Sequence, residues 1–156
     1  MIEEAERLHE LDELLASVRV ALQRPEYRRK LLTGLDVPGG ITTLRLLRAV
    51  EILAVDEAPS IRDIATRLAV EHSTASRSVD AAVRASLLSK HACEQDLRRT
   101  RLELTVLGRS MLKKTSARRR ELLGRVTEGW PSEDIDRLVE LLDNLRQGFD
   151  GLESSR

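Results

Sequence analysis

Aromatic side chains are nearly missing from this chain. Trp130, Tyr27 and Phe149 are the only three in 156 positions, so Leu, Val, Ile and Ala must fill any interior, which suits helices packed on helices. Cysteine occurs once, as Cys93, which excludes an internal disulfide and fits a reducing compartment. No apolar run reaches the roughly 18 residues of a membrane span. The acidic opening MIEEAERLHELDELL is unlike a secretory or transit peptide. A cytoplasmic protein without a membrane partner is the expectation. Net charge is also lacking, because 26 basic and 26 acidic side chains cancel. At 41% hydrophobic and 33% charged residues, composition points to a folded domain rather than a disordered tract.

The cancellation hides a segregation. Residues 97–120 carry nine basic side chains against Glu103 alone, and residues 1–14 carry six acids against Arg7. A neutral total therefore contains a local field able to attract a polyanion. An ordinary solvated helix face would have the same composition, so charge alone decides little.

Periodicity divides the chain. Leu8, Leu11, Leu15, Val18 and Leu22 step by three and four, predicting a helix over 2–23 with a coiled-coil-like seam. Pro25 bends or restarts it, and the breaker-rich TGLDVPGG is a loop. A second helix is predicted over 41–55. Ser60 and Asp63 have capping-box spacing ahead of IRDIATRL, with Ile61, Ile64, Ala65 and Leu68 facing inward. AVEHS then turns the chain into a further helix.

LLSKHAC and RTRLELT alternate as two short strands around the polar tip EQDLRR. Thr105 caps a long helix over 106–128, Gly129 closes it, and Pro131 with Ser132 opens the last one. There Ile135, Leu138, Leu142, Leu145 and Phe149 make a second seam. Seams this regular on terminal helices predict pairing with a second copy through Leu8, Leu11, Leu15, Leu138, Leu142 and Leu145. The alternative is that the two seams pack on each other within one chain.

The helix beginning near residue 73 has an unusual face. At 100° per residue, Ala75, Val79, Ala82 and Val83 share one side. Ser73, Ser76, Arg77, Asp80 and Arg84 share the other, with Thr74 on its shoulder. Short leading side chains let a helix enter the DNA major groove, hydroxyls can bond base edges or phosphates, and arginine can hold guanine through two hydrogen bonds. With the short helix and turn before it, this reads as a helix-turn-helix whose second helix meets the bases. A serine-rich surface helix is the plainer alternative. The ribbon that follows favours the first reading: Arg98 and Arg99 at its tip can reach phosphates or a narrow minor groove. Asp96, two residues before Arg98, either pairs with it or is simply a turn residue.

These segments resemble the MarR family of winged-helix transcription regulators. STASRSVDAAV matches the recognition helix, and DLRRTRLELTVLG matches the wing, through Asp96, Arg98, Leu102, Leu104, Thr105 and Gly108. The resemblance implies a mainly α fold with a small β-wing, an obligate dimer through the N- and C-terminal helices. It implies three regions: a dimerisation helix and loop (1–40), a winged helix-turn-helix (41–105), and a connecting helix with the C-terminal dimerisation helix (106–156). It further implies a homodimer on an inverted-repeat operator in double-stranded DNA, repression of transcription, and a small-molecule effector between the dimer region and the DNA-binding lobe. Ser73, Thr74, Ser76 and Arg77 would then meet the major groove, and Asp96, Arg98 and Arg99 would form the wing contact. Ser86 stands where the family often has glycine, so it must either avoid the left-handed conformation or accept strain.

Other chemistries find little support. His91 and Cys93 are two apart, but zinc needs three or four protein ligands, and His9 and His72 lie elsewhere. Cys93 on a strand reads as a packing residue before a redox sensor. No nucleophile–base pair or phosphate-binding glycine loop has a spacing that demands catalysis. No catalytic residue, metal or cofactor is expected. The competing function is a winged-helix module that docks a protein partner instead of DNA.

Overall fold

The structure is a computed structural model that describes residues 2–55, 57–92 and 100–153. Its elements run α1 (Ile2–Gln23), α2 (Pro25–Leu32), α3 (Gly40–Leu53), α4 (Ile61–Leu68), α5 (His72–Arg84), β1 (Leu88–Ala92), β2 (Thr100–Leu104), α6 (Val106–Val126) and α7 (Ser132–Glu153). The chain divides into two compact units, Met1–Arg118 and Arg119–Arg156.

In the first unit, Pro25 does restart the helix. It occupies the opening position of α2, where its missing N–H costs nothing, after Arg24 in an extended conformation. α3 begins one residue earlier and ends two earlier than its periodicity predicts, and Thr43, Leu44, Leu46, Leu47, Ala49 and Val50 are its buried side. The capping box ahead of α4 forms as expected. The Asp63 backbone N–H donates to Ser60 Oγ at 3.3 Å, and the Ser60 N–H donates to Asp63 Oδ2 at 2.8 Å. Ile61, Ile64 and Ala65 are buried below it.

Ala69 then takes a left-handed conformation, φ 52°, and the Val70 N–H returns to Ala65 O at 3.0 Å. This single strained residue makes the turn that lays α5 against α4. Val79 is 0% exposed, and Ala75 and Ala82 are 1% exposed. Two alanines on the buried side are what allow the close approach.

The ribbon is antiparallel, with Leu88 opposite Leu104, Lys90 opposite Leu102 and His91 opposite Arg101. Strand alternation buries Leu88, Leu102 and Leu104 together. The Leu102 N–H donates to Pro59 O at 2.9 Å, tying β2 to the loop before α4. Arg101 also pairs with Glu57 there.

Ser86, between α5 and β1, has φ 59°. It accepts the strain instead of avoiding it. Its carbonyl accepts a 2.7 Å bond from the Thr105 hydroxyl, which itself accepts from the Gly108 N–H at 3.0 Å and so caps α6. Gly108 is required by close approach: a Cβ there would lie 2.1 Å from Leu87 O. Farther along α6, Arg118 Nε donates to Lys30 O at 3.0 Å, at the end of α2.

The second unit contains the remainder of α6 and α7. Gly129, φ 82°, ends α6, and Pro131 O accepts from the Asp134 and Ile135 N–H groups as α7 begins. Along α7, Arg146 bridges Asp143 at 2.8 Å and Asp150 at 2.7 Å. That guanidinium, with a hydrogen bond from Gln147, holds the Asp143 carboxyl below its ordinary 3.8. Among the described residues, no helix is long and apolar enough to cross a membrane.

Candidate nucleic-acid interface

α5 is a helix with one committed side. With Ala75, Val79 and Ala82 buried, its opposite side must face away from the core, because both belong to one rigid cylinder. Ser73, Thr74 and Arg77 are exposed there, and Ser76 is half-buried at the edge. The major-groove candidates are thus brought together on an open surface, as their spacing predicts. Ser78 is different: its hydroxyl donates to Thr74 O at 3.0 Å and serves the helix itself.

The helix also presents its N-terminal end. Thr74 and Ala75 N–H groups bond the Glu71 carbonyl, but Glu71 makes no side-chain cap. Free N–H groups in that first turn attract anions through the helix dipole. Arg77 is exposed and has no ion pair among the described residues. Arg84 is exposed about two turns farther along the same side.

The ribbon stands next to α5, and β1 packs against that helix. Asp96, Arg98 and Arg99, the predicted tip residues, lie outside the described residues, as does Cys93. One contact that periodicity did not flag lies here: Lys90 Nζ on β1 meets Asp80 Oδ1 on α5 at 3.2 Å. The signal was present in the strand pattern, since Lys90 shares the α5-facing side of the ribbon with Leu88. Among the described residues, no three His, Cys, Asp or Glu side chains are grouped as a metal site.

The predicted pairing leucines are also placed. Leu8, Leu11, Leu138 and Leu142 are exposed in the single chain, and Leu15 and Leu145 are half-buried.

Sequence comparison finds no matching family model and no matching curated protein. Comparison of structures gives a consistent result. A MarR family protein from Bacillus stearothermophilus matches with a TM-score of 0.78 at 20% identity, over 94% of this chain and 97% of the other. FabT of Streptococcus pneumoniae, solved in complex with DNA, gives 0.70 at 19% identity over 93% of this chain and 99% of its own. A MepR mutant of S. aureus bound to an oligodeoxyribonucleotide gives 0.61 at 17% identity, over 89% of this chain and 97% of its own. At such identities the likeness is one of fold, and the chain has the winged-helix fold of the MarR family structures.

Proposed function

We propose that this chain is a MarR-type transcription regulator that binds an inverted-repeat operator as a homodimer and represses one or a few genes. The observation that carries the reading is the two-sidedness of α5: small apolar residues sunk to 1% exposure or less, with hydroxyls and the exposed Arg77 on the open side. A helix of that shape fits between two phosphate ridges, where Ser73, Thr74, Ser76 and Arg77 reach base edges. Two copies, joined through the exposed leucines of α1 and of α7, would address half-sites about one helical turn, ~34–36 Å, apart. Arg98 and Arg99 would add phosphate or minor-groove contacts beside each half-site. DNA-bound FabT and MepR, whose fold the chain shares, support the same assignment.

Selecting bound fragments from the source genome, followed by gel shifts across salt concentrations, tests it. Binding should weaken steeply with salt, because phosphate contacts release counterions. Arg77→Ala should cost ~1–3 kcal/mol on the selected operator and much less on random DNA. Equal losses on both would reduce Arg77 to a phosphate contact. Arg98→Ala with Arg99→Ala should weaken binding to both DNAs and flatten the salt slope. Salt-insensitive behaviour with no selected fragment would favour a protein-docking module.

A further inference from the structure

Asp80 is the only carboxylate in α5, and it sits on the side that carries Ser73, Ser76 and Arg77. At first sight it is misplaced. A carboxylate near a groove meets two phosphate ridges of its own sign. It also stands three residues from Arg77 and four from Arg84, the spacings at which acid–arginine pairs form along a helix. A free Asp80 would compete with a base for the Arg77 guanidinium.

The structure directs Asp80 elsewhere. Its Oδ1 is 3.2 Å from Lys90 Nζ, and both side chains remain part-exposed, Asp80 46% and Lys90 35%. Lys90 reaches it because strand alternation puts position 90 on the same side as buried Leu88, opposite Leu102. Backbone bonds fix the base of this arrangement: the Leu87 N–H donates to Ala82 O at 2.9 Å as the chain leaves α5. Arg77 is left without an ion pair among the described residues.

We infer that Lys90 is a positioning residue, which holds Asp80 on the ribbon side of α5 and so leaves Arg77 free to read a base. This rests on the DNA-binding reading above. The Asp80–Lys90 pair neutralises the one carboxylate within α5, and it fixes the near end of the ribbon against the recognition helix. Removing Lys90 frees Asp80 to pair with Arg77, so the loss falls on base reading. A lysine that merely touched phosphate would act without Asp80.

A double-mutant cycle on the full-length protein separates these cases. Lys90→Met keeps the alkyl stem, and Asp80→Asn keeps the shape. On the selected operator, Lys90→Met should weaken binding about tenfold alone and less than about twofold in the Asp80→Asn background, as expected for contacting groups that act through one another. Its effect on random DNA should be small, and Lys90→Arg should retain affinity. Thermal melting of all variants should stay close to that of the unaltered protein, because part-exposed pairs add little stability. Equal losses in both backgrounds and on both DNAs, with a salt slope lower by about 1, would make Lys90 a phosphate contact and overturn the inference. If the unaltered protein retains no genomic fragment, the DNA-binding reading itself fails. Operator binding with an additive cycle would sink only the pair.

Discussion

Leucine has two different fates in this molecule. In the helix-turn-helix and its ribbon, Leu46, Leu47, Leu87, Leu88 and Leu102 are no more than 2% exposed. On the terminal helices, Leu8 is 61% exposed and Leu142 is 49% exposed. Both regions are helical and rich in leucine, so composition does not separate them. What separates them is short-range geometry. The central elements are joined by a left-handed residue, a hydroxyl cap and backbone bonds, which bring apolar sides into contact. The terminal helices carry an equally regular seam that the single chain leaves open. On the proposed reading, a lobe that contacts DNA and ends that pair with a second copy would be two demands on one chain, met by different segments.

The largest effect should come from breaking the open seams. Leu142→Glu or Leu15→Glu places a charge where the dimer would bury apolar surface. Each variant should be monomeric by light scattering. Each should lose at least about a hundredfold in affinity for a full operator, since two linked half-site contacts become one. A monomer in the unaltered protein at micromolar concentration would break the comparison, because the seams would then be solvent faces.

Glycine sharpens the same contrast with a smaller effect. At Gly108 a Cβ would strike Leu87 O at 2.1 Å, whereas at Gly148 on α7 nothing lies within 4 Å. Gly108→Ala should destabilise by at least about 1–3 kcal/mol, because the obstacle is backbone. Gly148→Ala should instead stabilise by about 0.5–1 kcal/mol, as glycine usually costs that much inside a helix. Thermal melting of the two variants measures both. Ser86→Gly should stabilise by about 0.5–1 kcal/mol, since the residue already sits at φ 59° and glycine adopts that conformation without strain. A loss there would mean that the serine side chain contributes more than the strain costs.

Much of the central lobe was legible in the sequence because its signals are local. Ser60 with Asp63, Thr105 ahead of Val106, and the alternation of Leu102 with Glu103 each declare an element within four residues. α5 was legible for the same reason: its 100° period separates Ala75, Val79 and Ala82 from Ser73 and Arg77 without any tertiary information. Ala69 in a left-handed turn was not foreseen, since alanine carries no such preference and only the docking of α5 on α4 imposes it. The Asp80–Lys90 contact was missed because it joins positions ten apart on different elements. Ser86 could be narrowed to two outcomes, and packing of Leu87 and Gly108 selects the strained one.

The smallest prediction concerns how a helix with an open seam keeps its form. α7 carries its own surface pairs, with Arg146 bridging Asp143 and Asp150, each about one turn away. Fully exposed pairs of this kind add little to stability, yet they leave a readable mark. Because the Asp143 pKa is lowered in the folded chain by the Arg146 hydrogen bond, its contribution is present at pH values above its ordinary 3.8. That contribution is lost as pH falls through the lowered value. A pH titration followed by NMR should show the Asp143 carboxyl titrating below 3.8, and Arg146→Met should return it toward that value. If it titrates normally in the unaltered protein, these pairs do not persist in solution. The proposed pairing of its leucines with a second copy would then be the support left to test for α7, by comparing its helicity in the unaltered protein and in Leu142→Glu.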